Sequence, residues 1–234
     1  MKHIPRFFIS SELKEGNFLT LSNEQYHHAF SVLRMKEGEI VYIFNSECGE
    51  WECKISDVRK GRLECLRQLK KSSKEEGPVL ACAIINPSNM SWMLEKVTEL
   101  GISEIIPIVT QYTTQHQKFN KAKAEKVIIQ ACEQCKRITI PKLQQPIKLE
   151  EFLKEYNFEG SLLVGDEKFP ENFLYNFIEK KSVFLIGPEG GFSESEHELF
   201  GKYPFVKKVK ISNNILRTET AAVACIATWG CKFF

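Results

Sequence analysis

The sequence has no long apolar run. Stretches such as residues 79–85 are its longest, far too short to span a bilayer, so no membrane partner is expected. Met1-Lys2-His3-Ile4-Pro5-Arg6 carries no signal-peptide core, which makes the cytoplasm the expected location. An excess of one charge sign is also lacking. A net +2 does not by itself announce a nucleic-acid partner, and nothing points to DNA. Among eight cysteines only Cys132-x-x-Cys135 has a motif spacing, and the second pair that a zinc ribbon needs is missing. That pair lies inside a helical pattern over residues 122–137 rather than at a strand–helix junction. Reduced, mostly buried thiols and no metal are therefore expected. There is no internal repeat, no low-complexity tract, no GxGxxG, and no P-loop lysine after the one Gly-rich loop.

What is present is an ordinary globular composition, 43% hydrophobic and 26% charged over 234 residues. A polar run over residues 70–78, ending in Gly77-Pro78, has nothing to bury and reads as a linker. Before it, alternating segments at 40–44, 50–58 and 62–69 predict strands, and an amphipathic helix is predicted over 23–33. Such a segment suggests a small β-barrel.

After the linker, continuous apolar strands at 79–85, 104–109, 161–164, 183–186 and 206–211 alternate with helices. The helices are predicted at 91–100, 120–137, 149–156, 173–179, 193–200 and 218–233. That pattern predicts a parallel sheet covered on both faces, hence an α/β fold. Residues 118–142 carry Lys118, Lys121, Lys123, Lys126, Lys136, Arg137 and Lys142 against two glutamates, a net +5. The stripe suits a phosphate backbone or an ordinary solvated helix face.

Two loops carry the chemistry. Ile186-Gly187-Pro188-Glu189-Gly190-Gly191-Phe192-Ser193 and Leu216-Arg217-Thr218-Glu219-Thr220-Ala221-Ala222 each read as strand end, tight loop and helix start. Open α/β sheets place ligands at such ends. Glu189 sits where a phosphate would be repelled, so a cationic or hydroxyl-rich ligand is favoured. Ser193 and Glu196 form a capping box, Thr218 is expected to cap the last helix, and Glu219 belongs to its first turn. None of these explains Arg217, a forked donor at the mouth of the sheet.

Together these loops resemble the RsmE family of SPOUT methyltransferases. Four further segments agree in order. They are Pro5-Arg6-Phe7-Phe8; His28 with Val32-Leu33-Arg34; Lys96 with Glu99-Leu100-Gly101-Ile102; and Ala131-Cys132-Glu133-Gln134-Cys135 with Arg137. Asn89 departs from a family position that is often basic, which puts one RNA contact in doubt.

The resemblance implies a PUA-like RNA-binding barrel over 1–72 and an α/β trefoil-knot domain over 78–234. It implies a homodimer that uses S-adenosylmethionine to methylate N3 of a uridine in 16S ribosomal RNA, within the 30S subunit. Methylation of another RNA, or a non-catalytic assembly factor, are the alternatives. Cofactor contacts are expected from Leu163, Gly165, Ile186, Gly187, Pro188, Glu189, Gly190, Gly191, Ile211, Leu216, Arg217 and Thr218. RNA contacts are expected from Arg6, His28, Arg34, Lys36, Lys96, Lys118 and Arg137. Uridine N3 is a weak acid and must lose its proton. Glu189 or Glu219 is the candidate base, and Arg217 the candidate for stabilising the uridine anion.

Overall fold

The computed structural model describes residues 4–72, 76–113, 119–166 and 172–233. Contacts divide the chain into two units, Met1–Lys74 with Cys132–Ile140, and Glu75–Ala131 with Pro141–Phe234.

The first unit holds strands β1 (Arg6–Phe8) and β2 (Phe18–Thr20), helix α1 (Asn23–Tyr26), and strands β3 (Ile40–Asn45), β4 (Gly49–Asp57) and β5 (Arg62–Lys70). They form one sheet in the order β1-β3-β4-β5-β2. Register shifts between β4 and β5 at Glu50/Trp51, Glu52/Cys53 and Ile55/Asp57 bend the pair around a core of Phe7, Val41, Ile43, Ile55 and Leu63. Phe7 is thus core rather than a base-stacking surface.

Ser22 caps α1 with a complete capping box through Gln25. The predicted helix over 23–33 is real only in part, because His27–Val32 widen into a π-helix. That turn leaves Val32 and Leu33 exposed and ends at Arg34, whose φ of 54° is left-handed. The 3.6-residue periodicity cannot register the extra residue.

Arg6 is the main correction in this unit. Expected as a phosphate contact, it is buried instead, because nearly all its donors are committed inside. Nε meets Glu50 Oε1 at 2.6 Å, and Nη1 donates to the carbonyls of Cys132 (2.7 Å) and Glu133 (3.1 Å). Nη2 donates to the Arg137 carbonyl at 3.3 Å, and the guanidinium lies 4.3 Å from the Phe44 ring centre. Arg137, the other expected RNA contact here, is likewise buried. Glu133 accepts from the Phe8 N–H at 3.0 Å, and its burial raises its pKa above the ordinary value.

The second unit contains β6 (Val79–Ala83), α2 (Pro87–Glu99), β7 (Glu104–Val109), α3 (Lys121–Cys135), β8 (Lys142–Leu143), β9 (Ile147–Lys148), α4 (Leu149–Glu155), β10 (Leu162–Gly165), β11 (Val183–Ile186), α5 (Glu194–Phe200), β12 (Val206–Val209) and α6 (Thr218–Phe233). Residues 132–135 of α3 count with the first unit. The sheet order is β12-β10-β11-β6-β7-β8, with β9 also on β7, and every pairing is parallel. The expected α/β class with a parallel sheet is what the structure has.

Helix α2 starts four residues earlier than predicted. Asn86 caps it by accepting the Asn89 N–H, and Pro87 occupies its first position, where a missing N–H is harmless. The predicted helix over 173–179 shrinks to one 3₁₀ turn, Leu174–Asn176, after a bridge between Phe173 and Lys210. The cysteines are free thiols, five of them buried, with Cys82 pushed up to about 12 by burial. Among the described residues no helix is long and apolar enough to cross a membrane.

Candidate cofactor site

Strands β10, β11 and β12 end on the same side of the second sheet, because β10 lies between the other two in a parallel arrangement. The loops that follow enclose a cavity of about 380 Å³. Its walls come from Gly165 and Asp166 after β10, from residues 186–192 and His197 after β11, and from Ile211, Ser212, Asn214, Ile215, Leu216, Thr218 and Ala221 after β12.

Local chemistry shapes each wall. The Gly191 N–H donates to the Pro188 carbonyl at 2.8 Å, closing a turn in which Gly191 takes φ +70°, a conformation glycine adopts without strain. Ser193 caps α5: its Oγ accepts the Glu196 N–H at 3.2 Å, and Glu196 Oε2 accepts the Ser193 N–H at 2.8 Å. The other Glu196 oxygen accepts the Gln111 N–H at 2.9 Å, so this buried carboxylate also anchors the 110–113 turn. At Gly165 a Cβ would sit 2.9 Å from Ile211 Cδ1 and 3.2 Å from Ile186 Cδ1, so a side chain there would force two walls apart.

Thr218 corrects one expectation. It is the first residue of α6 rather than its cap, and its Oγ1 donates to the Gly187 carbonyl at 2.8 Å. The hydroxyl therefore links the two loops that the sequence singled out. Glu219 occupies the first turn of α6, is buried, and has an Oε2 with no hydrogen-bond partner among the described residues.

Among the described residues the cavity is lined by two carboxylates, Asp166 and Glu189, by one imidazole, and by no lysine or arginine. Ile186, Ile211, Ile215, Leu216 and Phe192 supply apolar surface. This donor set fits S-adenosylmethionine. A sulfonium and an ammonium meet no like charge, an adenine meets aliphatic walls, and loop backbone is at hand for polar edges.

The structure brings together Gly165, Ile186, Gly187, Pro188, Glu189, Gly190, Gly191, Ile211, Leu216 and Thr218 around this cavity. It does not bring in Leu163, which is packed inside the sheet at 1% exposure, two residues before the strand end. Arg217 is exposed and lies outside the cavity lining. Asp166, Phe192, His197, Ser212, Asn214, Ile215 and Ala221 line the cavity and were missed. Asp166 was within reach, since it follows a strand that the sequence did reveal. His197 was not, because only the capped geometry of α5 turns its ring inward.

Of the expected RNA contacts, His28, Arg34 and Lys36 are exposed in the first unit. Lys96 is paired with Glu95 at 2.7 Å and Glu99 at 3.0 Å, and both carboxylates raise its pKa. Lys118 lies outside the described residues. The basic stripe is interrupted: Arg137 is buried, Lys121 pairs with Glu125 and Lys142 with Glu104.

Comparison with known proteins gives a consistent set. An RNA methyltransferase domain matches residues 74–230 and an RNA methyltransferase PUA domain matches 21–66. The ribosomal RNA small subunit methyltransferase E of Rickettsia conorii is 33% identical over 95% of this chain and 93% of its own. The protein of the same name from Buchnera aphidicola is 31% identical over 99% and 98%. A ribosomal RNA small subunit methyltransferase E from Neisseria gonorrhoeae, solved bound to S-adenosyl methionine, superposes with a TM-score of 0.84. It is 27% identical, with 96% of both chains covered. A methyltransferase from Legionella pneumophila, solved with bound SAM, gives 0.83 at 28% identity, covering 98% of each chain.

Proposed function

Since the chain belongs to the family of ribosomal RNA small subunit methyltransferases E, we propose that it methylates N3 of a uridine in 16S ribosomal RNA with S-adenosylmethionine. The observation that carries the reading is the cavity at the ends of β10, β11 and β12, whose described lining residues include two carboxylates and no lysine or arginine.

When bound, the cofactor supplies a methyl group already activated on a sulfonium. The residues that would hold it are Gly165, Gly187, Pro188, Gly190, Gly191, Ile211 and Leu216, with the Thr218–Gly187 link keeping the two loops in register. The protein then has two tasks, to orient the uracil and to manage the N3 proton. Glu189 is exposed on the cavity rim and is the better placed acceptor for that proton. Glu219 is buried at the start of α6, where the helix dipole already favours a carboxylate. Arg217 lies outside the cavity lining and is exposed. Its fork suits O2 or O4 of a uracil anion arriving from solvent.

RNA binding by the first unit is assigned to His28, Arg34 and Lys36. All three are exposed on and just after the π-helix, and Arg34 holds a left-handed φ that a non-glycine residue adopts at a cost of about 1–3 kcal/mol. The proposal extends to a cytoplasmic homodimer acting on rRNA inside the 30S particle. Sedimentation tests the first part, and methylation of naked rRNA against 30S particles tests the second. The reaction itself is tested by mass spectrometry of 16S rRNA from a strain lacking the gene. One 3-methyluridine should disappear and return on complementation; an unchanged nucleoside profile refutes the reading.

A further inference from the structure

Methyl transfer to N3 needs the Watson–Crick edge of the uracil, which base pairing hides. The target base must therefore leave its stack and be held by its faces, so that the edge stays free. An aromatic ring does this, because stacking grips a face and leaves the edge open in the plane of the base.

Among the described residues of the second unit, four aromatic side chains are exposed: Trp92, Tyr112, Phe173 and Tyr175. Phe173 and Tyr175 already have a lysine ammonium over the ring, Lys210 at 5.4 Å and Lys232 at 5.0 Å from the centroid. Trp92 stands on α2. Tyr112 lies against the cavity wall itself. A Cβ on Gly190 would come within 3.6 Å of its Cδ2 and 3.8 Å of its Cγ, so the ring rests on the bare backbone of the loop that follows β11. The residue is nevertheless 50% exposed.

The ring is carried by a well-anchored turn. The Thr113 N–H donates to the Thr110 carbonyl at 3.1 Å, and Thr113 Oγ1 accepts the Thr110 N–H at 3.0 Å. Between them, the Gln111 N–H donates to Glu196 Oε1 at 2.9 Å, while the other Glu196 oxygen accepts the Ser193 N–H at 2.8 Å. One buried carboxylate thus ties the turn that carries Tyr112 to the end of the loop that carries Glu189. A platform fixed in advance lowers the ordering cost of holding a base. Ile215 lines the cavity and is 82% exposed, which adds an apolar side chain at the mouth. Whatever receives the methyl group must approach this mouth, so the acceptor base is the occupant that the ring is placed to meet.

Resting on the function proposed above, we propose that Tyr112 is the stacking platform for the target uracil, holding one face of the base while N3 meets the methyl group.

The test follows methyl transfer to 30S particles or naked 16S rRNA from a strain lacking the gene, whichever the unaltered protein methylates. Tyr112→Leu keeps apolar bulk against Gly190 but has no π face. It should lower kcat/KM for the RNA about five- to hundredfold, the range for losing one base–aromatic stack. Tyr112→Phe should stay within about threefold of the parent, because the ring and not the hydroxyl does the stacking. In both variants the dissociation constant for S-adenosylmethionine, read by calorimetry, should stay within about twofold.

Full activity in the leucine variant overturns the proposal, and so does an equal loss in the phenylalanine variant. A parallel loss of cofactor affinity assigns Tyr112 to bracing the Gly190 loop and overturns it as well. A leucine variant that sediments as a smaller species than the parent places the ring under a second copy of the chain, again against the proposal. If the unaltered protein methylates neither substrate, the function itself fails and this inference falls with it, an outcome seen before any variant is made.

Discussion

Replacing Arg6 by methionine should loosen the first unit more than any surface change could. The guanidinium meets Glu50 at 2.6 Å and three main-chain carbonyls, those of Cys132, Glu133 and Arg137, within 3.3 Å. Both side chains of the ion pair are almost fully buried, at 4% and 6% exposure. Without Arg6, Glu50 retains Lys70 at 3.6 Å, but that lysine is more than half exposed and its charge is screened by water. Stranding one charge of a buried pair costs about 3–5 kcal/mol. Arg6→Met should therefore destabilise the unit by about 4 kcal/mol, roughly a thousandfold in its opening equilibrium.

Hydrogen exchange with mass spectrometry reads this directly, through faster exchange in peptides covering residues 6–8 and 132–140. Adding Glu50→Met removes the stranded charge. The double variant should recover part of the loss, leaving about 1–3 kcal/mol for carbonyls without donors. A loss below about 1 kcal/mol in the single variant, or a double variant less stable than the single one, refutes the reasoning.

Three further outcomes are expected. Glu133→Gln keeps an acceptor for the Phe8 N–H but removes a charge whose pKa burial has raised. A carboxylate with a raised folded pKa favours the fold below its ordinary value of 4.5 and loses that contribution as pH rises through the raised value. The variant should thus melt higher than the parent at neutral pH and equal it in acid; the opposite pH trend in paired melting curves would contradict this. Thr218→Val deletes the hydroxyl that donates to the Gly187 carbonyl. Cofactor affinity should fall about three- to tenfold by calorimetry, a net hydrogen bond's worth, and Thr218→Ser should restore it. Arg217→Lys should lower kcat while leaving the dissociation constant for S-adenosylmethionine within about twofold, since the residue lies outside the cavity lining. A change confined to cofactor binding would show that the residue serves the cofactor instead.

Much of the second unit could be read from the chain because its central strands β6, β10 and β11 are apolar on both faces and nothing competes with that signal. The start of α2 was marked by Asn86-Pro87, a capping pair that periodicity alone passes over. The π-helix after Tyr26 was illegible, because widening one turn changes no residue type. Arg6 misled for a related reason. A cation in a short strand looks like surface until the chain returns at Cys132–Arg137 with three carbonyls to receive it.

In the candidate site, glycines and capping residues announced the two loops. The inward face of His197 depended on the helix built after them, and no linear pattern encodes it.

The position of β10 between β11 and β12 has a consequence for how the molecule comes into being. The walls of the cavity come from segments well apart in the chain, residues 165–166, 186–197 and 211–221, and the last wall runs into α6. The binding site is therefore complete only once the last of these segments has docked, assembled from long-range contacts that close slowly. A ligand that binds only this finished arrangement stabilises it by mass action. Molecules whose C-terminal strand has not yet docked gain nothing from it and stay open to proteolysis.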